Sequence, residues 1–427
     1  MSFRKAVTQQ AIVCVLFGGG FTGNAYCQPM GDMNPAGMFL MGVSSGTSMN
    51  PRAWQMPMVM KPLGSWNSMF MGQAFAVQTE QFNRRSGDKF YSPNWLMANM
   101  EHRAGKNGAI QFDLMLSLEP ATITGRRYPL LFQTGETAFG KPIVDAQHPH
   151  EFIMSLGVHY AHSLSENTTL QLYFAPVGDP ALGPAAFPHR ASAMELPQAT
   201  LGHHWQDSTH IANEVITAGI EYKQIRLEAS GFYGSEPNEN RWNIDHGPLN
   251  SWSGRFWYFP TKRWAAQVSA GHITKPESLT PGDTVRMTGS VEYTVPLAEG
   301  SWSSSIIWGR NHSTDTQRNT NSYLAESVLP FRGRNIFTGR AELVDKDELF
   351  GDQPQLEDQL TKKYGSTFRV GAYTLGYTRD INLCPGLQTG IGANIVFYSL
   401  PDAIKPYYGE HPLGGNIFIR VRLKRQH

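Results

Sequence analysis

From Phe70 to the C-terminus the chain alternates apolar and polar residues with a period of two, the signature of strands with two unlike faces. In the stretch 110–118, Ile110, Phe112, Leu114, Leu116 and Leu118 fall on one side and Gln111, Asp113, Met115 and Ser117 on the other. Val285, Met287, Gly289, Val291, Tyr293 and Val295 likewise oppose Arg286, Thr288, Ser290, Glu292 and Thr294. Near the end, Ile417, Ile419, Val421 and Leu423 oppose Phe418, Arg420, Arg422 and Lys424. Comparable runs predict sixteen strands, at 70–80, 89–102, 108–118, 152–163, 168–176, 211–222, 225–233, 250–259, 264–274, 284–296, 301–311, 319–330, 334–343, 367–378, 386–398 and 414–424.

The links between them alternate in length. After every even-numbered strand only a few residues follow, and after every odd-numbered strand more, four times over fifteen (119–151, 177–210, 234–249 and 344–366). Antiparallel up-and-down order gathers all short links at one end, whereas Greek-key crossings would mix them. Strands near ten residues, in even number, with short turns on one side and long loops on the other, predict an all-β fold. It is an antiparallel up-and-down transmembrane β-barrel of about sixteen strands in the outer membrane of a Gram-negative bacterium. In lipid the sheet must close, because an open edge would leave backbone groups unpaired. The apolar side then meets outer-membrane lipid and the polar side a lumen. Trp252, Phe256, Trp257, Tyr258, Phe259 and Trp264 surround one short turn as an interfacial girdle would. A soluble sandwich with those aromatics in its core is the competing reading.

Composition narrows the partners. Charged residues make up 17% of the 427, with net charge +1, so nothing favours nucleic acid. After the N-terminus no apolar run is long enough for a spanning helix. Residues 1–25 have a basic start (Arg4, Lys5), an apolar centre (11–17) and a small-residue exit, and predict a signal peptide. Cys27 just beyond it could instead be acylated, although Tyr26 fits that processing poorly. Cys27 and Cys384 are the cysteines beyond the signal, and both would face the oxidising periplasm, where a bridge between them would persist.

The segment 26–68 predicts a Met-rich periplasmic arm, mobile or loosely docked, ahead of a barrel over 69–427. Ten of the seventeen methionines lie between 30 and 71, among them Met30, Met33, Met38, Met41, Met56, Met58 and Met60. Thioethers are soft ligands that suit Cu(I), and equally they fill irregular apolar gaps. The other cluster is histidine: eight of fourteen fall between 145 and 210. His148 and His150 end one long loop, and His203, His204, Asp207 and His210 end the next. One strand separates the two loop ends, so the groups start roughly 10 Å apart at about 4.8 Å per strand. Three or four of them could ring a copper or zinc ion, the sole cofactors the chain suggests, or they could pin the loops by hydrogen bonds. By parity His159 and His162 lie on opposite faces of their strand.

Enzyme signatures carry little. Gly42-Val43-Ser44-Ser45-Gly46 matches a nucleophile elbow but lacks the strand, turn and helix that motif needs. Ser208 near Asp207 and His210 would be a hydrolase triad only by spatial arrangement, which adjacency cannot establish. The expectation is therefore a protein that is not an enzyme.

The text YPLLFQTGETAFGKPIVDAQHPHEF (128–152), APVGDPALGPAAFPHRASAM (175–194) and LGHHWQDSTHI (201–211), with SEPNENRW and PLNSWSGR, resembles a family of Gram-negative outer-membrane proteins. Members are found mainly beside copper and heavy-metal resistance genes. The resemblance implies a barrel in the outer membrane and a link to metal handling, and it supplies no catalytic residue. Together these readings give a porin-like channel handling copper-like ions through the arm and the histidine loops. A general small-solute porin with structural histidines is the alternative, and an outer-membrane hydrolase a remoter one.

Overall fold

The computed structural model describes residues 33–83, 85, 87–277, 282–298 and 300–425. The signal segment, Cys27 and Met30 lie outside the described residues, and with them the cleavage point and any bridge to Cys384. The barrel strands are β1 (Trp66–Phe82), β2 (Asn94–Ala104), β3 (Gly108–Leu116), β4 (Ile153–Ser165), β5 (Thr168–Gly178), β6 (Ala212–Tyr222), β7 (Ile225–Tyr233) and β8 (Ser251–Tyr258). They continue as β9 (Trp264–Ile273), β10 (Thr284–Leu297), β11 (Gly300–Ser313), β12 (Asn319–Phe331), β13 (Asn335–Lys346), β14 (Phe368–Asp380), β15 (Leu387–Ser399) and β16 (Leu413–Leu423). Each pairs antiparallel with its sequence neighbours, and β1 pairs with β16 from Gln73↔Arg422 to Phe82↔Leu413. The result is a closed antiparallel barrel of 16 strands.

Its two faces are inverted relative to a soluble protein. Phe112 is 48% exposed and Ile417 66%, while Gln111 and Arg420 are 0% exposed. Large apolar side chains turned outward and charged ones inward belong to a wall between lipid and a polar lumen, so the barrel sits in the outer membrane. Tyr258, Trp264, Tyr293 and Trp302 are among the outward aromatics at the short-turn end, with Trp264 and Tyr293 ring centroids 4.4 Å apart. Trp257 and Phe259, expected in that girdle, face inward instead and stack at 5.6 Å. They pack on Val43 and Met49 of the N-terminal arm.

The lumen is filled from both ends. Every residue from Val177 to Asp207 is buried, so the second long loop is a plug crossing the lumen, not an exposed surface loop. Its backbone is received by side chains around the wall. Ser230 on β7 accepts from Ala181 N, and Arg255 on β8 donates to Gly183 O. Arg340 on β13 donates to Gln198 O, and Gln73 on β1 to Met194 O. Ion pairs add to this: Arg190 with Glu326 on β12 at 2.7 Å, and Glu195 with Arg420 and Arg422 on β16.

From the short-turn end, residues 33–58 enter the same lumen, so this part of the arm is docked rather than mobile. A short helix, α1 (Pro35–Leu40), is capped by Asn34, whose Nδ2 also donates to Gly108 O at 2.9 Å. Thr47 meets Arg226 and Arg255 of the wall, and Asn50 joins arm to plug by bonding His189 O and Ala191 N. At the outer end a β-hairpin (Tyr128–Ala138 with Lys141–Gln147) and helix α2 (Pro354–Tyr364) lie over the mouth. Leu131 and Phe132 of the hairpin share a core with Leu201 and Trp205 of the plug and with Leu360 of α2.

Candidate functional site

The histidines of the two loops meet, and nearer to one another than their separation by one strand implies. Ring centroids are 5.3 Å apart for His150–His210, 5.3 Å for His203–His210, 5.5 Å for His203–His204 and 6.1 Å for His148–His204. Phe187 of the plug sits among them, 5.8 Å from His150 and 5.3 Å from His203.

Within this group the ring nitrogens serve two purposes. His203 Nδ1 bonds Asp207 at 2.6 Å, His210 Nδ1 bonds the Asp207 carbonyl at 2.9 Å, and His150 Nδ1 bonds Glu119 at 3.0 Å. Asp207 also takes Arg190 at 2.8 Å and the Phe187 amide at 3.0 Å. These contacts tie the end of the plug together. Burial lowers His203 to about 4 against the pull of Asp207, and drives His210 well below the ordinary range. Both are thus neutral at physiological pH.

His204 faces away from that knot. Its Nδ1 lies 3.5 Å from Glu277 Oε1 and 3.7 Å from Glu236 Oε1. Among the described residues, His204, Glu236 and Glu277 are the group of three whose donor atoms could share an ion, all within 4.8 Å of one another. His148, next to His204, bonds Glu136 at 2.8 Å, and Glu136 also pairs with Arg241. Burial raises the Glu236 carboxyl well above the usual range, and the charges of Glu136 and Glu277 push the same way. A cavity of about 70 Å³ opens beside this trio, lined among others by Thr134, Gly135, His204, Glu277, Asn311 and Asp347.

Glu236 and Glu277 carry no sequence signal that links them to the histidines. They come from the loops after β7 and β9, and converge because those loops join at the rim through the Glu236 N–H and Pro276 O at 2.8 Å. Only the phrase SEPNENRW, which contains Glu236, hinted that this loop mattered.

The candidate methionines do not form one centre with the histidines. Met38 is 54% exposed, and Met33, Met41 and Met60 are half-buried. Met56 and Met58 pack against a cluster that includes Met71, Met97, Met115, Met154 and Met194, so the arm's thioethers continue a Met-lined part of the lumen. His159 faces inward, 2.9 Å from Asp113, and His162 bonds the outward Tyr160, as their parity requires.

Comparison with known proteins bears on the fold. The structure of OprB from Pseudomonas putida aligns with a TM-score of 0.50 at 9% identity, over 84% of this chain and 94% of that one. The anion-selective porin from Comamonas acidovorans aligns with a TM-score of 0.48 at 13% identity, over 83% and 100%. The outer-membrane channel DcaP of Acinetobacter baumannii gives 0.45 at 8% identity, over 84% and 98%. No family model and no curated protein matches the sequence. At the OprB identity the likeness concerns fold alone, and together with the lipid-facing wall it makes this chain a porin-type outer-membrane β-barrel.

Proposed function

We propose that the protein is a plugged outer-membrane channel that handles a copper- or zinc-like ion at the outer end of its lumen. The convergence of His148, His150, His203, His204 and His210 from two loops carries the reading. Imidazole is the side chain that such ions favour most, and five gather here, four already bonded to a carboxylate or carbonyl and His204 turned towards Glu236 and Glu277. The Met-lined part of the lumen, reached by Met56 and Met58, would suit the same element in its Cu(I) state. The buried plug occupies the lumen, and on this reading passage requires it to move.

The hydrogen-bonded state of His150, His203 and His210 favours the second reading, a solute channel with structural histidines. Planar-bilayer recording of the refolded protein separates the two. A low basal conductance that micromolar Cu(II) or Zn(II) changes, and that deletion of residues 33–58 raises, supports the proposal. A large steady conductance indifferent to metal overturns it.

A further inference from the structure

The geometry points to a divalent transition-metal site of the Zn(II) class formed by His204 Nδ1, Glu236 and Glu277, which locks the end of the plug to the loops after β7 and β9. It deepens the metal-handling reading and rests on it.

The first observation is an imidazole held in place without using its nitrogens. His204 is 4% exposed; Nε2 has no hydrogen-bond partner among the described residues, and Nδ1 faces the carboxylates of Glu277 and Glu236 at 3.5 and 3.7 Å, longer than a good hydrogen bond. A buried polar atom left unpaired costs about 1–3 kcal/mol, so such a group calls for a reason. Its backbone is fixed twice, since the His204 carbonyl accepts from Arg286 Nη2 at 2.6 Å and from Asn311 Nδ2 at 3.0 Å. The ring is wedged against Gly135, where a Cβ would lie 2.6 Å from Cε1 and 2.8 Å from Nδ1. Gly135 has φ +111, a conformation that favours glycine on its own account. Sequence and backbone thus seat this ring with its nitrogens open towards the acids.

The second observation is spacing. Donors bound at about 2.0–2.2 Å around a tetrahedral ion lie about 3.3–3.6 Å from one another. The 3.5 and 3.7 Å separations here lie at or just beyond that range and exceed a good hydrogen bond. Two carboxyl groups turn towards the imidazole, with Arg286 held on the side of the His204 carbonyl. The adjoining cavity of about 70 Å³ has room for a water as a fourth ligand, which needs only about 10–15 Å³. One nitrogen and two carboxylate oxygens suit a borderline ion such as Zn(II). Cu(I) would want sulfur, and the methionine cluster lies on other elements.

The three ligands come from three loops, and His204 closes the plug four residues after Thr200 accepts the turn into the helix-like segment 203–206. An ion here would therefore bias the plug towards its docked state, in proportion to its occupancy.

Zinc alone is the probe, added to refolded full-length protein freed of metal by chelator. Titration calorimetry should show one site of micromolar affinity or tighter, and X-ray absorption one nitrogen and two or three oxygens near 2.0–2.1 Å. His204→Ala and the near-isosteric Glu277→Gln should each lose it, whereas His203→Ala should keep it. Gly135→Ala retains all three ligands yet displaces the ring, and should weaken binding by roughly 10–100-fold, as loss of a supporting contact does. Unheated electrophoretic mobility confirms that each barrel is folded. Zinc bound equally by wild type, His204→Ala and Glu277→Gln overturns the site and leaves the broader metal reading standing. Loss in His204→Ala without loss in Glu277→Gln also overturns it, moving the ion into the histidine knot. No binding tighter than millimolar by the wild type sinks both.

Discussion

Glu326 is the anchor on which removal of one side chain should free the plug without opening the barrel. Its carboxylate takes Arg190 Nε at 2.7 Å, Ser192 Oγ at 2.9 Å and Arg340 Nε at 2.9 Å, with all three charged groups buried. Arg190 and Ser192 belong to the plug, and Arg340 and Glu326 to the wall. Glu326→Ala leaves two guanidinium groups short of a counter-ion, although Arg190 retains Asp207 at 2.8 Å. Breaking a buried pair in this way costs about 3–5 kcal/mol. The backbone pairing of β12 with β11 and β13 does not depend on that carboxylate, so the cost falls on plug docking. At about 1.36 kcal/mol per power of ten, the docked-to-released ratio should drop by about two to four orders of magnitude. Glu326→Gln keeps one acceptor and should lose about 1.5–3 kcal/mol. Trypsin reads the release, because Arg190 is the single Lys or Arg between 179 and 211. The cut after Arg190 should appear in Glu326→Ala barrels that still migrate as folded, more slowly in Glu326→Gln, and hardly in wild type. Equal protection in all three would show that this network does not hold the plug.

Gly46 has φ +51 and lies so close to the plug that an added Cβ would overlap the Asp179 carbonyl oxygen. Gly46→Ala should therefore cost about 1–3 kcal/mol of arm docking and bring the Arg190 cut to a lower temperature on a ramp; an unchanged ramp would uncouple arm from plug. Burial holds His189 at about 3, with His150 adding to the effect, so the docked plug refuses a proton that the released plug accepts below about 6.5. Docking is then at full strength above about pH 6.5 and weakens as pH falls towards 3. Conductance should rise in that window, and His189→Gln should reduce the rise without removing it, because His203 and His210 are lowered by the same burial. Cys384, exposed and without a disulfide partner among the described residues, sits in the short link between β14 and β15. A membrane-impermeant maleimide should reach it only after the outer membrane is permeabilised, whereas a cysteine placed at Lys362 on α2 should react in intact cells; the reverse order would invert the barrel.

The wall was legible because lipid and lumen demand opposite residue types at successive positions. All sixteen predicted strands exist, with errors confined to ends such as β1, which begins at Trp66 rather than 70. The second strand starts at Asn94 rather than 89, because Lys89–Tyr91 makes a separate short pairing with β1 before Pro93 interrupts the ladder. The plug was not legible as a plug. Its Pro and Gly suppress any period, so 177–210 reads as an ordinary long loop whichever way it folds. One sign was present: from Ala181 to Leu201 the charged residues are Arg190 and Glu195 alone, among many Ala, Leu and Pro, a composition ill suited to a solvated loop. The meeting of His148 and His150 with His203, His204 and His210 followed from strand order. Their division into a hydrogen-bonded knot, His148 on Glu136, and a ring facing Glu236 and Glu277 did not, because it depends on acids arriving from loops far apart in sequence.

The same inversion that made the wall readable explains why the plug can be a switch. The lumen core is polar: Arg226, Arg255, Arg340 and Arg420 project from the wall, and the arm and plug meet them with carboxylates and backbone carbonyls. Buried ion pairs add little net stability compared with apolar packing, yet mismatching them is expensive, so such a core specifies one docked arrangement without binding it strongly. The barrel closes through backbone pairing between β1 and β16 and does not rely on the plug to do so. On the proposed reading docking is a separate equilibrium that one bound ion can shift in proportion to its occupancy. The imidazole of His204, facing Glu236 and Glu277, lies where the plug rejoins the rim and where three loops meet.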